Sequence, residues 1–351
     1  MSSLDQELSL LLVDQREWRR PRSLENLVKG KRTVATLYWG LRYQLLGLLG
    51  IARYLEVSKL DFVGLEQQRL LQTNAGKVRL TPLGAQQQAK LKAQLQMGWK
   101  VRFQTTDLMR LKHRFLLLIQ VASEYHHHQN QYFVLKTSLR EQQWIKRYFG
   151  QLRSGKKLEQ FPDNVSAFLA KLPEVVAQVV GAELVGYHNN GRTRDQIAQE
   201  LCQSSLAIAF LELTALAALV DWGSAHPDSL LTPLKNGLER GLISKNAVQT
   251  LRLYQANHSL KQVARKQRIR LSTVQEHLLE VAIYLPIAQF PYLDFVSAEM
   301  KQDLMERLGT DLDDWQFEAE RDSELSFFQF RLIQIWITKG QREDQKHGSA
   351  D

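Results

Sequence analysis

Between Arg240 and Gln275 the chain carries Arg240, Lys245, Arg252, Lys261, Arg265, Lys266, Arg268 and Arg270, and neither Asp nor Glu. One-signed charge at that density suits the phosphates of a nucleic acid. The residues inside the run point the same way. From Asn257 to Leu278 they fit two short helices joined by a turn. Ser259 and Ser272 each precede an apolar-periodic run and each has a Gln three residues on, a capping-box arrangement that predicts a helix start at both. Val263 and Ala264 are expected to face the partner helix and Ile269 and Leu271 to plug the turn. Val274, Leu278, Ala282 and Leu285 should form one buried stripe. Thr273, Gln275, Glu276, His277 and Glu280 are then left pointing outward from the second helix, whose first turn would meet base edges and phosphates. The candidate phosphate contacts are Lys261, Arg265, Lys266, Arg268 and Arg270. The candidate groove contacts are Ser272, Thr273, Gln275, Glu276 and His277, with His258 flanking them. Arg268 stands where such turns usually place Gly, so a left-handed backbone there should carry strain on the order of 1 kcal/mol.

Other constellations that could do chemistry are incomplete. Gly150 to Lys157 nearly spells a phosphate-binding P-loop, but Lys157 stands where the Mg²⁺-binding hydroxyl is needed, and Trp144 to Phe149 reads as helix where a strand is required. Consecutive His126, His127 and His128 point in different directions on a helix, whereas a zinc pair needs spacing near four. Asp313 and Asp314 fall in an acidic stretch expected to be exposed. No Gly-x-Ser-x-Gly elbow or dinucleotide fingerprint occurs. The expectation is a protein that is not an enzyme and uses no cofactor or metal.

The elements that must hold these residues follow from length and charge. A chain of 351 residues with 44% hydrophobic and 24% charged residues is ordinary globular material for two or three domains. The single cysteine, Cys202, follows an Ile197, Ala198, Leu201 stripe and is read as a small core residue; with no disulfide possible within the chain, a reducing cytoplasm is expected. Met1 to Val13 resembles neither a secretory signal nor a membrane anchor, and no segment is read as spanning a bilayer. The net charge of +9 conceals a division. Residues 1–160 hold 27 Lys and Arg against 12 Asp and Glu, and the remainder 19 against 25. From Glu276 onward there are 16 acidic and 7 basic residues. That acidic stretch could limit indiscriminate phosphate binding or dock a basic partner.

Thr33 to Gly50 and Lys59 to Leu70 read as helices. Leu70 to Thr73 and Lys77 to Thr81 then flank Asn74-Ala75-Gly76, a three-residue hairpin connection. A helix pair before a basic-tipped hairpin looks like a winged helix, with Lys77 and Arg79 as possible wing contacts to DNA or protein. Pro82 and Gly84 should end the strand before a Gln-rich helix from Ala85. Further helices are read at Leu108 to Glu124, Ser138 to Phe149, Val165 to Leu172 and Glu174 to Tyr187, with a short strand-like run at Gln131 to Leu135. Arg153 to Asn164, with Gly155 and Pro162, reads as a linker. Ala207 to Val220 is apolar enough to be core, as is the helix around Phe327 to Ile337. The fold class is therefore mainly α: a winged-helix-like domain at 1–100, a helical segment at 101–160, a helical middle domain at 161–230, a helix-turn-helix domain at 231–340 and a polar tail at 341–351.

On Val263-Ala264, Ile269, Ser272-Thr273-Val274 and His277-Leu278, the segment resembles the helicase-associated helix-turn-helix domain at the C-terminus of some RecQ-type DNA helicases. More widely the chain is similar to the YpbB family of Firmicutes, through Arg32-Thr33-Val34, Leu80-Thr81-Pro82-Leu83-Gly84, Gln143-Trp144-Ile145-Lys146 and Phe327-Phe328-Gln329-Phe330-Arg331-Leu332. Members of that family are commonly encoded beside a RecQ-type helicase lacking the domain. The resemblance implies a DNA-binding subunit that partners such a helicase in DNA repair or recombination. Two other functions fit the residues alone: a dimeric transcription regulator reading a palindrome, and a protein-binding scaffold without DNA contact.

Overall fold

The path of the chain is set by one early excursion. The computed structural model describes residues 3–95, 100–317 and 325–347. They are mainly helical and form two compact units, one built from residues 1–30 and 47–240, the other from 31–46 and 241–351. The excursion leaves at Gly30 and returns before Gly50, both with positive φ, and a Cβ on Gly30 would stand 3.1 Å from the Gly50 Cα. Only glycine fits such a crossing without strain. Inside the excursion, helix Val34–Arg42 is capped by Thr33 and buries Thr36, Leu37, Tyr38, Trp39, Gly40 and Leu41. It packs on helices Leu271–Tyr284 and Phe327–His347. A helix that local pattern assigns to the N-terminal domain therefore belongs with the helix-turn-helix, because it is apolar on nearly every face and helices of that unit cover it.

In the first unit, strands β1 (Leu71–Asn74) and β2 (Lys77–Leu80) form an antiparallel hairpin. Asn74 pairs with Lys77, so the connection is the two residues Ala75 and Gly76, at φ 47° and 72°, rather than the three expected. Positive φ at both positions matches the strand twist. Arg19 adds a third short edge, exchanging two backbone hydrogen bonds with Val78 at 2.9 and 2.8 Å. Helices Leu4–Leu12, Phe62–Gln67 and Pro82–Gln94 surround the hairpin. The last begins at Pro82, not Ala85, with Thr81 Oγ1 accepting from Gly84 N at 3.1 Å. A Cβ at Gly84 would lie 2.0 Å from the Leu70 carbonyl oxygen, so the helix start is pressed onto the strand. Buried Gln88 donates to the Leu10 and Val13 carbonyls, both at 2.7 Å, tying this helix to the first.

The remainder of this unit is built around helix Ser205–Ala225, whose residues are buried on almost every side by helices Leu108–His126, Glu174–Glu183 and Arg194–Glu200. It is long and apolar enough to cross a membrane, contrary to the sequence expectation that no segment is, but 78% of its most apolar window is buried in the fold. Arg153 to Asn164 is not a linker: Leu158 and Phe161 are buried, and Asn164 Oδ1 accepts from Leu230 N at 3.0 Å and Ser229 Oγ at 3.1 Å. Gln131 to Leu135 is irregular rather than a strand. Cys202 is exposed, because its helix ends at Glu200 and the chain turns at Cys202 with φ 51°. In the second unit, helix Phe327–His347 runs seven residues into the stretch read as a polar tail; residues 348–351 lie outside the described residues.

Candidate nucleic-acid interface

Three helices of the second unit pack on one another: Lys245–Asn257, Leu260–Gln267 and Leu271–Tyr284. The first two starts and the middle stop have local causes. Ser244 Oγ accepts from Ala247 N at 3.3 Å, and Ser259 Oγ from Gln262 N at 3.4 Å. The middle helix stops where Arg268 turns left-handed, at φ 56° and ψ 42°, with Ile269 N donating back to the Ala264 carbonyl at 3.1 Å. This six-to-one bond closes a Schellman-type cap. The third helix starts two residues earlier than its serine suggested: its N-cap is Arg270, no side chain caps it, and Ser272 lies inside the first turn.

Val263, Val274, Leu278 and Ala282 are fully buried between the helices, as their spacing implied. Leu271 is exposed rather than plugging the turn, and Leu285 lies just past the helix end. Two residues expected to face outward do not. His277 Nδ1 lies 2.8 Å from the buried Thr250 hydroxyl, which also lies 2.8 Å from Gln267 Oε1, so one hydroxyl links all three helices. Glu280 is buried and accepts from Arg32 Nη2 at 2.5 Å, Ser244 N at 2.8 Å and Ser244 Oγ at 3.0 Å. It thereby orients the serine that caps the first helix. Arg32 donates as well to the Leu242 carbonyl at 2.7 Å and lies 5.5 Å from the Tyr284 ring centre. Arg32 is thus a clamp on the helix-turn-helix.

The cations that remain exposed form the candidate surface. Lys261, Arg265, Arg268 and Arg270 are exposed, and among the described residues none of them meets a carboxylate. Lys266 is exposed too, but its Nζ is held by Asn257 Oδ1 at 2.7 Å. Ser272 and Glu276 are exposed, whereas Thr273 and Gln275 are half-buried. The acidic stretch after Glu276 does not neutralise these cations among the described residues: Asp313 pairs with Arg42 at 2.9 Å, Asp303 with Arg307 at 3.8 Å, and Asp294 with His258 at 3.8 Å. Asp313 is accordingly a partly buried ion-pair member, not a free surface acid, and His258 faces a carboxylate. Exposed cations thus lie on the middle helix, at the turn and at the N-cap of a 14-residue helix whose N-terminus carries the positive end of its dipole. That arrangement attracts phosphate and carries little base information of its own.

An aromatic cluster holds the unit behind this surface. Tyr254 stacks toward Phe295 at 4.7 Å, Phe295 meets Phe328 edge-on at 5.3 Å, and Tyr292 stacks on Trp336 at 5.2 Å. The Phe290 to Phe295 connection is thus part of the core. In the other unit the wing cations are engaged: the Arg79 guanidinium lies 4.4 Å from the Trp18 ring centre, and Lys77 is half-buried.

Sequence reasoning also missed a buried charge cluster in the first unit. Glu212 accepts from Tyr54 Oη at 2.9 Å, Lys112 Nζ at 2.7 Å, and Arg194 Nε and Nη2, both at 2.9 Å; Lys112 donates at 2.7 Å to Glu183 as well. Burial, then the Glu212 charge beside it, pushes Glu183 up to about 8, while Lys112 and Arg194 outweigh the burial of Glu212 and hold it well below the carboxylate range. The cavity against this cluster measures about 20 Å³, space for one water. A lone Glu in the apolar run Ala207 to Val220 was the available signal, since such a charge must be paired.

Residues 246–334 match the family model of a helix-turn-helix domain. The match begins in the first of the three helices and ends in the C-terminal helix, so it includes the turn and the aromatic residues Tyr254, Tyr292, Phe295 and Phe328, with Trp336 just beyond it. The chain thus has a C-terminal helix-turn-helix domain, and that domain suggests DNA binding. Comparisons with curated proteins and with solved structures return no match.

Proposed function

We propose that the protein is a non-enzymatic DNA-binding accessory of a RecQ-type helicase, acting in the cytoplasm in DNA repair or recombination. The observation that carries the DNA-binding part is the exposed, uncompensated set Lys261, Arg265, Arg268 and Arg270 around the start of helix Leu271–Tyr284. Support for the helicase part is the resemblance in Val263-Ala264, Ile269, Ser272-Thr273-Val274 and His277-Leu278. Phosphate contacts from Arg265, Arg268 and Arg270 fix the docking, with Ser272, Glu276 and the half-buried Thr273 and Gln275 at the groove. His277 is withdrawn from that set by its bond to Thr250. Four to six neutralised phosphates give log K against log salt a slope of about −4 to −5 on duplex DNA, with Kd on the order of 10⁻⁴ to 10⁻⁶ M at physiological salt.

Replacing Arg265, Lys266 and Arg270 together with Glu tests the first part. Duplex binding, read by fluorescence anisotropy, should fall about a hundredfold while the melting temperature stays put; an unchanged affinity removes the DNA-binding assignment. Co-purification of the full chain with a RecQ-type helicase tests the second part. Failure of that step with DNA binding intact leaves a DNA-binding protein that is not a helicase partner.

A further inference from the structure

The first unit carries more of the positive charge than the helix-turn-helix does, and the structure gathers part of it on one helix. Helix Leu139–Ser154 buries Glu141, Ile145, Tyr148 and Leu152. At about 100° per residue those four fall within one arc of the helix, and Arg140, Lys146, Arg147 and Arg153 fall in an arc of about 140° centred on the opposite side. All four cations are exposed, as are Lys156 and Lys157 beyond the helix end. Among the described residues none of the six meets a carboxylate. The one acid within the helix, Glu141, is fully buried and consumed by Arg110, at 2.6 Å, and by Arg114. Arg114 is itself held between that carboxylate and the Trp144 ring, 4.1 Å away. The acid has therefore been drawn inward and its compensation supplied from the neighbouring helix, which leaves the outer face with a single sign.

Just ahead of this helix in the chain stands an aromatic ring that its own fold does not cover. Phe133 is 100% exposed, five residues before the Ser138 cap of the helix, with Val134 and Leu139 also exposed. The backbone that carries it is fixed: buried Gln120 donates to the Phe133 carbonyl at 2.9 Å and accepts from Leu135 N at 2.9 Å. A polar side chain has thus been buried to pin a loop whose aromatic residue points to solvent. Cations along a helix face with a fixed exposed ring at one end are the two components of single-strand binding, in which backbone charge is tracked and a base is stacked.

We infer that helix Leu139–Ser154 and the Phe133 loop form a second nucleic-acid surface, one that takes a single strand independently of sequence. The helix is roughly 24 Å long at 1.5 Å per residue. At about 3.4 Å per phosphate that spans on the order of six to seven nucleotides of a stacked strand. The inference goes beyond the duplex-binding reading and uses none of its residues.

The test uses the full chain with a labelled oligo(dT) and a duplex of equal length, at several salt concentrations. Replacing Arg140, Arg147 and Arg153 with Glu should weaken oligo(dT) binding at least tenfold and make its salt slope shallower by about 2, from about 0.7 per phosphate contact. Duplex binding should stay within about threefold. Phe133→Ala should cost oligo(dT) about tenfold and the duplex nothing. The helix-turn-helix reversal should do the opposite, losing duplex and keeping oligo(dT). Wild-type chain that ignores oligo(dT), a helix reversal that binds it unchanged, or a helix-turn-helix reversal that loses both nucleic acids overturns the inference and leaves the duplex reading standing. Equal losses on both nucleic acids in the helix reversal overturn it too, as does an unaltered Phe133→Ala. If the triple Glu variant melts early, the Gln versions of the same three residues carry the same comparison.

Discussion

Two clusters of charge in this molecule teach opposite lessons. Around Glu212 in the first unit, Lys112, Arg194 and Tyr54 converge on buried carboxylates, with each cation answered by an acid. Around the start of helix Leu271–Tyr284 in the second, Lys261, Arg265, Arg268 and Arg270 stand in solvent with no acid against them among the described residues. Residue type does not distinguish the two groups. Compensation does: a buried, answered charge holds the fold together, and an exposed, unanswered one is available to a partner. The same criterion divides the basic N-terminal half, where Arg79 is stacked on Trp18 but Arg147 and Arg153 are unengaged.

The comparison can be broken from either side. The largest effect is expected from Glu212→Ala, which leaves Arg194 without its carboxylate and Lys112 with Glu183 alone. Urea unfolding should show a loss of about 3 to 5 kcal/mol, and a loss below about 1 kcal/mol would mean that the cluster is solvated and the contrast is void. The helix-turn-helix reversal, by comparison, should leave unfolding untouched while removing duplex binding.

A second prediction concerns pH. Glu183, raised from its ordinary 4.5 to about 8 by burial and then by Glu212, keeps in the folded state a proton that the unfolded chain releases above pH 4.5. Its contribution to stability is complete below about pH 4.5 and is lost as pH rises toward 8, by at most about 1.4 kcal/mol per unit. Glu212, held low, acts in the other direction: its contribution is present above its ordinary 4.5 and is lost only as the pH falls below that value. Between pH 5 and 8 Glu183→Gln should therefore flatten the stability profile measured by urea titration, and a profile that keeps its slope contradicts the burial argument.

The smallest effect sharpens the other cluster. Arg268 holds a left-handed conformation at φ 56°. Arg268→Gly should relieve up to about 1 kcal/mol of strain while reducing the duplex salt slope by about 0.9 through one lost phosphate contact. Stability and affinity moving in opposite directions would identify Arg268 as a residue kept for its charge. A variant that gains stability and loses no salt dependence would place the phosphate elsewhere.

Much of the site was legible because helix periodicity and turn chemistry are local. The stripe Val274, Leu278 and Ala282, the cap at Ser259 and the left-handed turn at Arg268 all follow from residues within a few positions of one another. His277 could have been read correctly, since it sits three residues after Val274 and shares its buried face. Ser272 was a poor guide to a helix start: the helix begins at Leu271 with Arg270 as its N-cap, and the serine lies inside the first turn. Glu280 was not readable at all: its partners Arg32 and Ser244 lie 248 and 36 residues away, and nothing local marks the encounter.

By itself the sequence determined where charge of one sign accumulates and which faces of which helices must be apolar, because both are properties of short windows. Tertiary structure decided which charges are answered. It drew residues 31–46 out of the N-terminal unit to lay Arg32 on Glu280, sank Glu141 beneath Arg110 and Arg114, and left Arg147 and Arg270 facing water. The physical reason is that pairing a charge depends on which distant element arrives beside it. Desolvation then makes that pairing obligatory inside the fold and optional at its surface.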